Sequence, residues 1–129
     1  MRPMKSILIA GVLTAVATQS VAERLAMSVP LAVPSDPKAE YMLLDFEQVL
    51  PGLIIATTRR DGPSGVSYSV RVFDCESMRF KYLADGESLA QVRAKAAAAP
   101  RRRAGRDLAP LTRGSISYFV ARQACAASM

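Results

Sequence analysis

The chain has 129 residues, enough for one domain and too few for most multi-domain enzymes. It contains no histidine and no tryptophan, and its formal net charge is +6 at pH 7. Histidine is the most common general base and metal ligand in proteins, so its absence weighs against many catalytic and metal-binding functions.

The first 22 residues have the three parts of a signal peptide. Two basic residues precede the uncharged run Ser6–Ala17, and a small-residue cleavage site ends at Ala22. The apolar run is shorter than the roughly 20 residues that span a bilayer, so cleavage is expected; an uncleaved amphipathic anchor or a buried helix is the alternative. We therefore expect an exported protein, periplasmic or secreted, with a mature chain of about 107 residues.

Residues 23–40 are predicted to form a proline-interrupted arm with one short edge strand around Met27–Val33. After the arm, runs of β-branched and aromatic residues alternate with turn signals rich in proline, glycine and aspartate. Short turns favour antiparallel neighbours, so the sheet should be a meander. The predicted strands are Tyr41–Val49, Leu53–Thr58, Val66–Cys75, Met78–Tyr82 and Ser88–Val92.

The strand Val66–Cys75 changes its pattern near Val72. Valines and a tyrosine lie on one face and serines on the other, but Phe73 falls in register with the serines. Either a bulge intervenes or both faces are covered at that end, and we favour the second interpretation. Three basic residues on the outward face are expected to be solvated: Arg71, Arg79 and Lys81.

Residues 93–113 hold seven alanines, seven basic residues and one acid, for a net charge of +6, whereas the whole mature chain carries +4. Proline and glycine interrupt this stretch, which predicts a mobile loop with one helical turn around Ala94–Ala99. Its basic residues are candidates for anion binding, and a solvated, unconstrained loop is the alternative. The candidates are Arg93, Lys95, Arg101, Arg102, Arg103, Arg106 and Arg113.

Export and the lack of interleaved aromatic residues argue against nucleic acid as the partner of this basic loop. Anionic lipid, the phosphates of lipopolysaccharide or acidic glycans fit better, because arginine pairs with such groups through two hydrogen bonds. Peripheral contact with a membrane follows from the same reasoning.

The last predicted element is a helix over Ile116–Ala126, capped by Thr112 or Ser115. Its apolar stripe should lie on the sheet. Cys125 points roughly 180° away from Ile116 on a wheel of 100° per residue. The stripe consists of Ile116, Phe119, Val120 and Ala124.

Cys75 and Cys125 are expected to form a disulfide, because oxidising compartments convert paired thiols into disulfides. Closing a loop of this length contributes about 4 kcal/mol in the chain-entropy model. A redox-active or nucleophilic thiol would need a CxxC spacing or a nearby histidine, and the sequence has neither. Because Cys125 lies off the predicted stripe, the bridge requires a frayed helix end or a helix tucked against the rim.

Two pairs of carboxylates, Asp45 with Glu47 and Asp74 with Glu76, have the i, i+2 spacing of one strand face. Paired carboxylates can perform acid–base chemistry when their pKa values differ. A solvated face or a turn flank is the simpler interpretation, and no loop supplies the six or more oxygen ligands of a divalent-cation site. We expect neither an enzyme nor a bound cofactor or metal.

Three stretches resemble the surface adhesin protein E family of small exported bacterial proteins. They are Val72–Cys75, Arg79–Tyr82, and the pair Gly114–Ser115, whose glycine lies eleven residues before Cys125. The resemblance extends over about Tyr41 to Cys125. It implies an antiparallel sheet with one helix on its concave face, joined to it by a disulfide. It also allows a homodimer and implies adhesive binding to extracellular protein partners.

The sequence thus predicts a single α+β domain over residues 41–129. It should contain an antiparallel meander of four to six strands, with one C-terminal helix packed on one face of the sheet. The expected function is that of a non-enzymatic, adhesin-E-like exported binding module, whose partner is an extracytoplasmic protein or an anionic envelope component that the sequence does not identify. The alternative is a structural envelope protein that associates with anionic lipid or lipopolysaccharide through its basic loop.

Overall fold

The computed structural model of the chain describes residues 28–128. The predicted signal peptide, residues 1–22, and the first part of the predicted arm lie outside the described residues. Within the described range, neither helix has the length and apolar character needed to cross a membrane.

The described residues form one open sheet of six antiparallel strands whose order in space is their order along the chain. Two helices, α1 and α2, and a single 3-10 turn complete the fold. The predicted α+β meander with a C-terminal helix on the sheet is therefore confirmed. The strands are β1 Val29–Leu31, β2 Glu40–Leu50, β3 Leu53–Gly62, β4 Gly65–Asp74, β5 Arg79–Gly86 and β6 Ala109–Pro110. The helices are α1 Leu89–Ala98 and α2 Ile116–Ala127, and the 3-10 turn is Arg101–Arg103.

Tight turns produce the antiparallel pairing of the central strands. Pro51 and Gly52 alone connect β2 to β3, and Gly52 takes a φ of +77°, which glycine adopts without steric cost. Pro63 and Ser64 connect β3 to β4 in the same way. Both turns confirm the predicted breaks between strands.

The sheet is covered on both faces. We call them the α2 face, where Ile54 and Phe73 pack against α2, and the α1 face, where Val70 packs against α1. In β4 the consecutive residues Val72 and Phe73 point to opposite faces and are both fully buried. This confirms the interpretation that both faces are covered at this end of β4.

A register shift in β2 decides which face its side chains join. Leu43 lies opposite Thr58, but Asp45 lies opposite Thr57, so Leu44 is the extra residue of a bulge. The bulge places Asp45 on the α1 face, where strict alternation from Leu43 would have placed it on the α2 face.

Helix α1 replaces the predicted strand Ser88–Val92, so that prediction is wrong. The Oγ atom of Ser88 accepts a hydrogen bond from the backbone N–H of Gln91 (3.3 Å) and caps the helix. The alanine-rich residues that follow have high helix propensity and carry α1 to Ala98. The structure also differs from the predicted loop 93–113, because the 3-10 turn and β6 belong to this segment.

Helix α2 begins where one of the two predicted caps placed it. The Oγ atom of Ser115 accepts a hydrogen bond from the N–H of Tyr118 (3.2 Å), so Ser115 and not Thr112 is the cap. The helix is rotated relative to the predicted stripe, so that small side chains face the sheet while Ile116 and Phe119 lie partly buried beside the core. The buried residues are Ser117, Val120, Ala121, Ala124 and Cys125.

This rotation places Cys125 on the buried face of α2, so the disulfide needs no frayed helix end. Cys75 lies in the turn after β4, where its N–H donates to the carbonyl of Gly52 (2.8 Å). The two cysteines form a disulfide with their Cα atoms 5.7 Å apart, which confirms the predicted pairing. A structural disulfide is compatible with an oxidising compartment outside the cytoplasm.

A polar cluster fastens the segment between β1 and β2 to β3. The Arg60 Nε atom donates to Asp36 Oδ2 (2.9 Å), and the Tyr41 hydroxyl donates to the same oxygen (2.7 Å). The hydrogen bond from Arg60, followed by that from Tyr41, lowers the pKa of Asp36 below its ordinary value. Burial, followed by the hydrogen bond to Asp36, raises the pKa of Tyr41.

Candidate functional site

The alanine- and arginine-rich segment lies folded on the α1 face. Val92 of α1 is buried in one cluster with Val70 and Ala84. Beyond the 3-10 turn, Ala104 is buried in a second cluster with Leu53 and others. Two small apolar contacts therefore hold this segment on the sheet at points twelve residues apart in the sequence.

Two ion pairs join the same segment to β2. The Arg93 Nη2 atom lies 2.7 Å from Asp45 Oδ2, and Arg101 binds both carboxylate oxygens of Glu47, at 2.8 and 3.0 Å. All four side chains are about half exposed, so each pair contributes little to the free energy of unfolding. Asp45 and Glu47, the carboxylate pair considered for acid–base chemistry, therefore form ion pairs with two of the seven candidate anion-binding residues.

Strand β5 holds the end of the segment through its carbonyl groups. The Lys81 Nζ atom donates to the carbonyls of Arg103 (3.1 Å) and Arg106 (2.8 Å). The guanidinium of Arg79 donates two hydrogen bonds to the carbonyl of Leu108, at 3.2 and 2.8 Å. Arg79 is exposed, as predicted, and Lys81 is half-buried, but both side chains also fasten loop carbonyls to the sheet, which the sequence did not predict.

Five of the seven candidate residues are exposed and form no ion pair within residues 28–128. Four of them belong to α1, the 3-10 turn and the residues just after it, and we call these four the basic surface. Arg113 lies apart, in the connection between β6 and α2. The basic surface consists of Lys95, Arg102, Arg103 and Arg106.

Two depressions flank the 3-10 turn. The first, the apolar cavity, measures about 150 Å³, and its lining includes Ile55, Val70 and Leu83 together with both arginine–carboxylate pairs. The second, the cationic depression, measures about 290 Å³. Its charged lining residues are Lys81, Arg103, Arg106 and Asp107. The two depressions adjoin each other, because they share four lining residues: Leu83, Ala99, Pro100 and Ala104.

A second polar cluster lies on the α2 face around Arg71, whose side chain is buried (4% exposed). Its guanidinium donates to the hydroxyls of Ser117 (3.0 Å), Thr58 (2.8 Å) and Tyr82 (3.2 Å). Its central carbon also lies 4.7 Å from the centre of the Tyr82 ring. The sequence prediction of a solvated Arg71 is therefore wrong, because its strand face is covered by α2.

The Arg71 cluster contains no carboxylate within ion-pair distance among residues 28–128. Three hydroxyls and an aromatic face solvate the guanidinium instead. Burial by itself raises the pKa of Tyr82, but the Ser117 hydrogen bond and the Arg71 charge outweigh it and lower that pKa below its ordinary value. The cluster fixes the start of α2 against β3, β4 and β5.

The second predicted carboxylate pair has a local structural role. Oδ1 of Asp74 accepts hydrogen bonds from the backbone N–H groups of Glu76 (3.0 Å) and Ser77 (3.2 Å), which closes the turn after β4. Within residues 28–128, no group of three or more acidic or cysteine side chains is placed to hold a metal ion.

No protein-family model, curated protein or solved structure matches this chain. What the site can do therefore follows from its own geometry: a basic surface on a folded support, with an apolar cavity and a cationic depression beside it.

Proposed function

We propose that this protein is an exported, non-enzymatic binding module that docks on an anionic component of the cell envelope through its basic surface. The observation that supports this proposal most is the arrangement of charges on the α1 face. The two β2 carboxylates pair with Arg93 and Arg101, while the basic surface keeps its positive charge exposed. Exposed guanidinium groups bind phosphates and carboxylates through paired hydrogen bonds.

The folded support strengthens this proposal. Because Lys81 and Arg79 hold the segment on β5 through its backbone carbonyls, the side chains of Arg102, Arg103 and Arg106 remain available to a ligand. A ligand that binds a segment already held in place meets a smaller loss of conformational entropy than one that binds a free loop.

Export and the adhesin-E-like kinship belong to the same proposal. The signal-like first 22 residues and the disulfide favour a periplasmic or secreted location. The meander with a disulfide-linked C-terminal helix is the arrangement that a resemblance to surface adhesin protein E implies. A non-enzymatic role is supported by the engagement of Asp45 and Glu47 with arginine at the mouth of the apolar cavity.

Vesicle binding tests the proposal. The oxidised mature protein is mixed with vesicles of phosphatidylglycerol and phosphatidylcholine, and with vesicles of phosphatidylcholine alone, at 50 mM and 0.5 M salt. We expect binding to the anionic vesicles at low salt only. The double variant Arg103→Gln/Arg106→Gln should bind roughly 30-fold more weakly, since each basic residue near an anionic surface contributes about 1 kcal/mol.

The control variant Lys38→Gln/Arg122→Gln removes the same net charge from exposed positions outside the basic surface. It should bind within about threefold of the unmodified protein, since long-range attraction alone is screened over about 10 Å. Equal loss in both double variants would contradict a defined basic surface. Salt-resistant capture of an envelope protein without vesicle binding would instead favour a protein partner.

A further inference from the structure

We infer that the two adjoining depressions beside the 3-10 turn together form a binding site for an alkyl phosphate, that is, a single apolar chain that carries a phosphate head. This inference rests on the proposed function and names the class of molecule that the α1 face takes. The head would lie in the cationic depression and the chain in the apolar cavity.

The cationic depression matches the charge of a phosphate. Lys81, Arg103 and Arg106 line it, and Asp107 is the single acid on its lining. None of the three basic side chains forms an ion pair within the described part of the chain. The two Lys81 hydrogen bonds go to neutral carbonyls, which leave its positive charge uncompensated.

The apolar cavity matches a short stretch of hydrocarbon. Ile55, Val70 and Leu83 contribute apolar side chains from three strands, and small alanines of α1 line the opposite side. An apolar cavity of about 150 Å³ is large enough to hold a benzene-sized group.

The shared lining of the two depressions favours one amphiphilic ligand over two separate ones. Leu83 is the extra residue at the register shift between β4 and β5, and it lines both depressions. Ala99 and Pro100 also line both depressions. A ligand whose chain lies beside Leu83 in the first depression therefore has its head next to the basic side chains of the second.

Titration calorimetry with alkyl phosphates tests this site. Butyl, hexyl and octyl phosphate are compared with inorganic phosphate and with octyl glucoside, which carries a chain but no charge. Each added methylene that enters the cavity should tighten binding about fourfold, from about 0.8 kcal/mol per buried methylene. Inorganic phosphate and octyl glucoside should each bind at least tenfold more weakly than octyl phosphate.

Two matched pairs of variants locate the ligand. Ala99→Phe places a bulky ring where the depressions meet and should abolish the chain-length dependence, whereas Ala126→Phe on the exposed side of α2 should leave it unchanged. Arg103→Gln/Arg106→Gln should weaken the binding of octyl phosphate at least tenfold, whereas Lys38→Gln/Arg122→Gln should leave that binding unchanged.

Other outcomes overturn the inference. Binding of inorganic phosphate as tight as that of octyl phosphate would mean that the chain takes no part. If octyl glucoside binds as tightly as octyl phosphate, the basic residues take no part. If none of the alkyl phosphates binds, the site does not exist. Each of these results leaves vesicle binding as a separate measurement, so the proposed function stands or fails independently.

Discussion

The two faces of the sheet are covered in different ways. On the α2 face, helix α2 packs small side chains directly on the strands and carries Cys125 of the disulfide near its end. Hydroxyls of α2, β3 and β5 surround the buried Arg71 on this face. On the α1 face, one short helix and a 3-10 turn rest on two small apolar clusters and exposed ion pairs, with a groove left between them and the strands.

This difference indicates a division of roles between the faces. The contacts of the α2 face are buried and partly covalent, so they account for most of the stability. The α1 face has two small apolar clusters and exposed ion pairs, and exposed ion pairs contribute little to folding while they orient charged groups. Binding sites often occupy the less tightly packed part of a domain, because such parts can adjust to a ligand.

The largest expected effect comes from the covalent link of the α2 face. Cys75→Ala/Cys125→Ala should lower the free energy of unfolding by about 4 kcal/mol, because a loop spanning 50 residues is no longer closed in the unfolded chain. Urea denaturation of the oxidised protein and the variant measures the difference. A loss below about 1 kcal/mol would mean that the bridge adds little to the packing of α2.

The next effect concerns the buried arginine. Arg71→Ala should lower the free energy of unfolding by about 3 kcal/mol, since it leaves a cavity and removes the donors that satisfy Ser117, Thr58 and Tyr82. Arg122→Ala, an exposed arginine of α2, is the control and should change stability by less than about 0.5 kcal/mol. Equal effects of the two substitutions would contradict a special role for the Arg71 cluster.

The ion pairs of the α1 face should matter less for stability and more for binding. Asp45→Asn/Glu47→Gln should cost no more than about 1 kcal/mol per pair, and 0.5 M salt should reduce the cost. The same variant releases Arg93 and Arg101, so its binding to anionic vesicles should become tighter. Weaker vesicle binding would show that the carboxylates hold the basic surface in shape.

Acid should weaken the fold through Asp36. The hydrogen bond from Arg60 is the main reason that the pKa of Asp36 is lowered in the folded protein. The carboxylate therefore contributes its full stabilisation above the unfolded pKa of about 3.9, and this contribution is lost as the pH falls through the folded pKa. Asp36→Asn should remove this part of the acid dependence in urea unfolding between pH 5 and pH 2. Glu87→Gln, an exposed acid, should leave the slope unchanged.

Much of the α2 face could be predicted from the sequence because its signals are local. Alternating β-branched residues, the Pro51–Gly52 turn and the Ser115 cap each act over a few neighbours. The disulfide could be predicted because the chain has only two cysteines and export was expected. The stripe of α2 was predicted in part. Val120 and Ala124 are buried as expected, but the helix also turns its small residues toward the sheet and leaves Ile116 and Phe119 only partly buried.

The α1 face could not be predicted in the same way because its contacts depend on register. The bulge at Leu44 carries Asp45 to the face of α1, and nothing in the local sequence marks it. The predicted strand Ser88–Val92 is a helix because Ser88, two residues after the Asp–Gly pair that ends β5, caps it. The burial of Arg71 follows only from the position of α2 over β4.

Native-state hydrogen exchange tests the division between the faces most directly. The amide protons of α1 should exchange through a local opening that requires less free energy than the exchange of β3, β4 and α2, whose protection should approach the free energy of global unfolding. If the amides of α1 exchange at the same free energy as those of α2, the two faces form one cooperative unit and the division of roles is wrong.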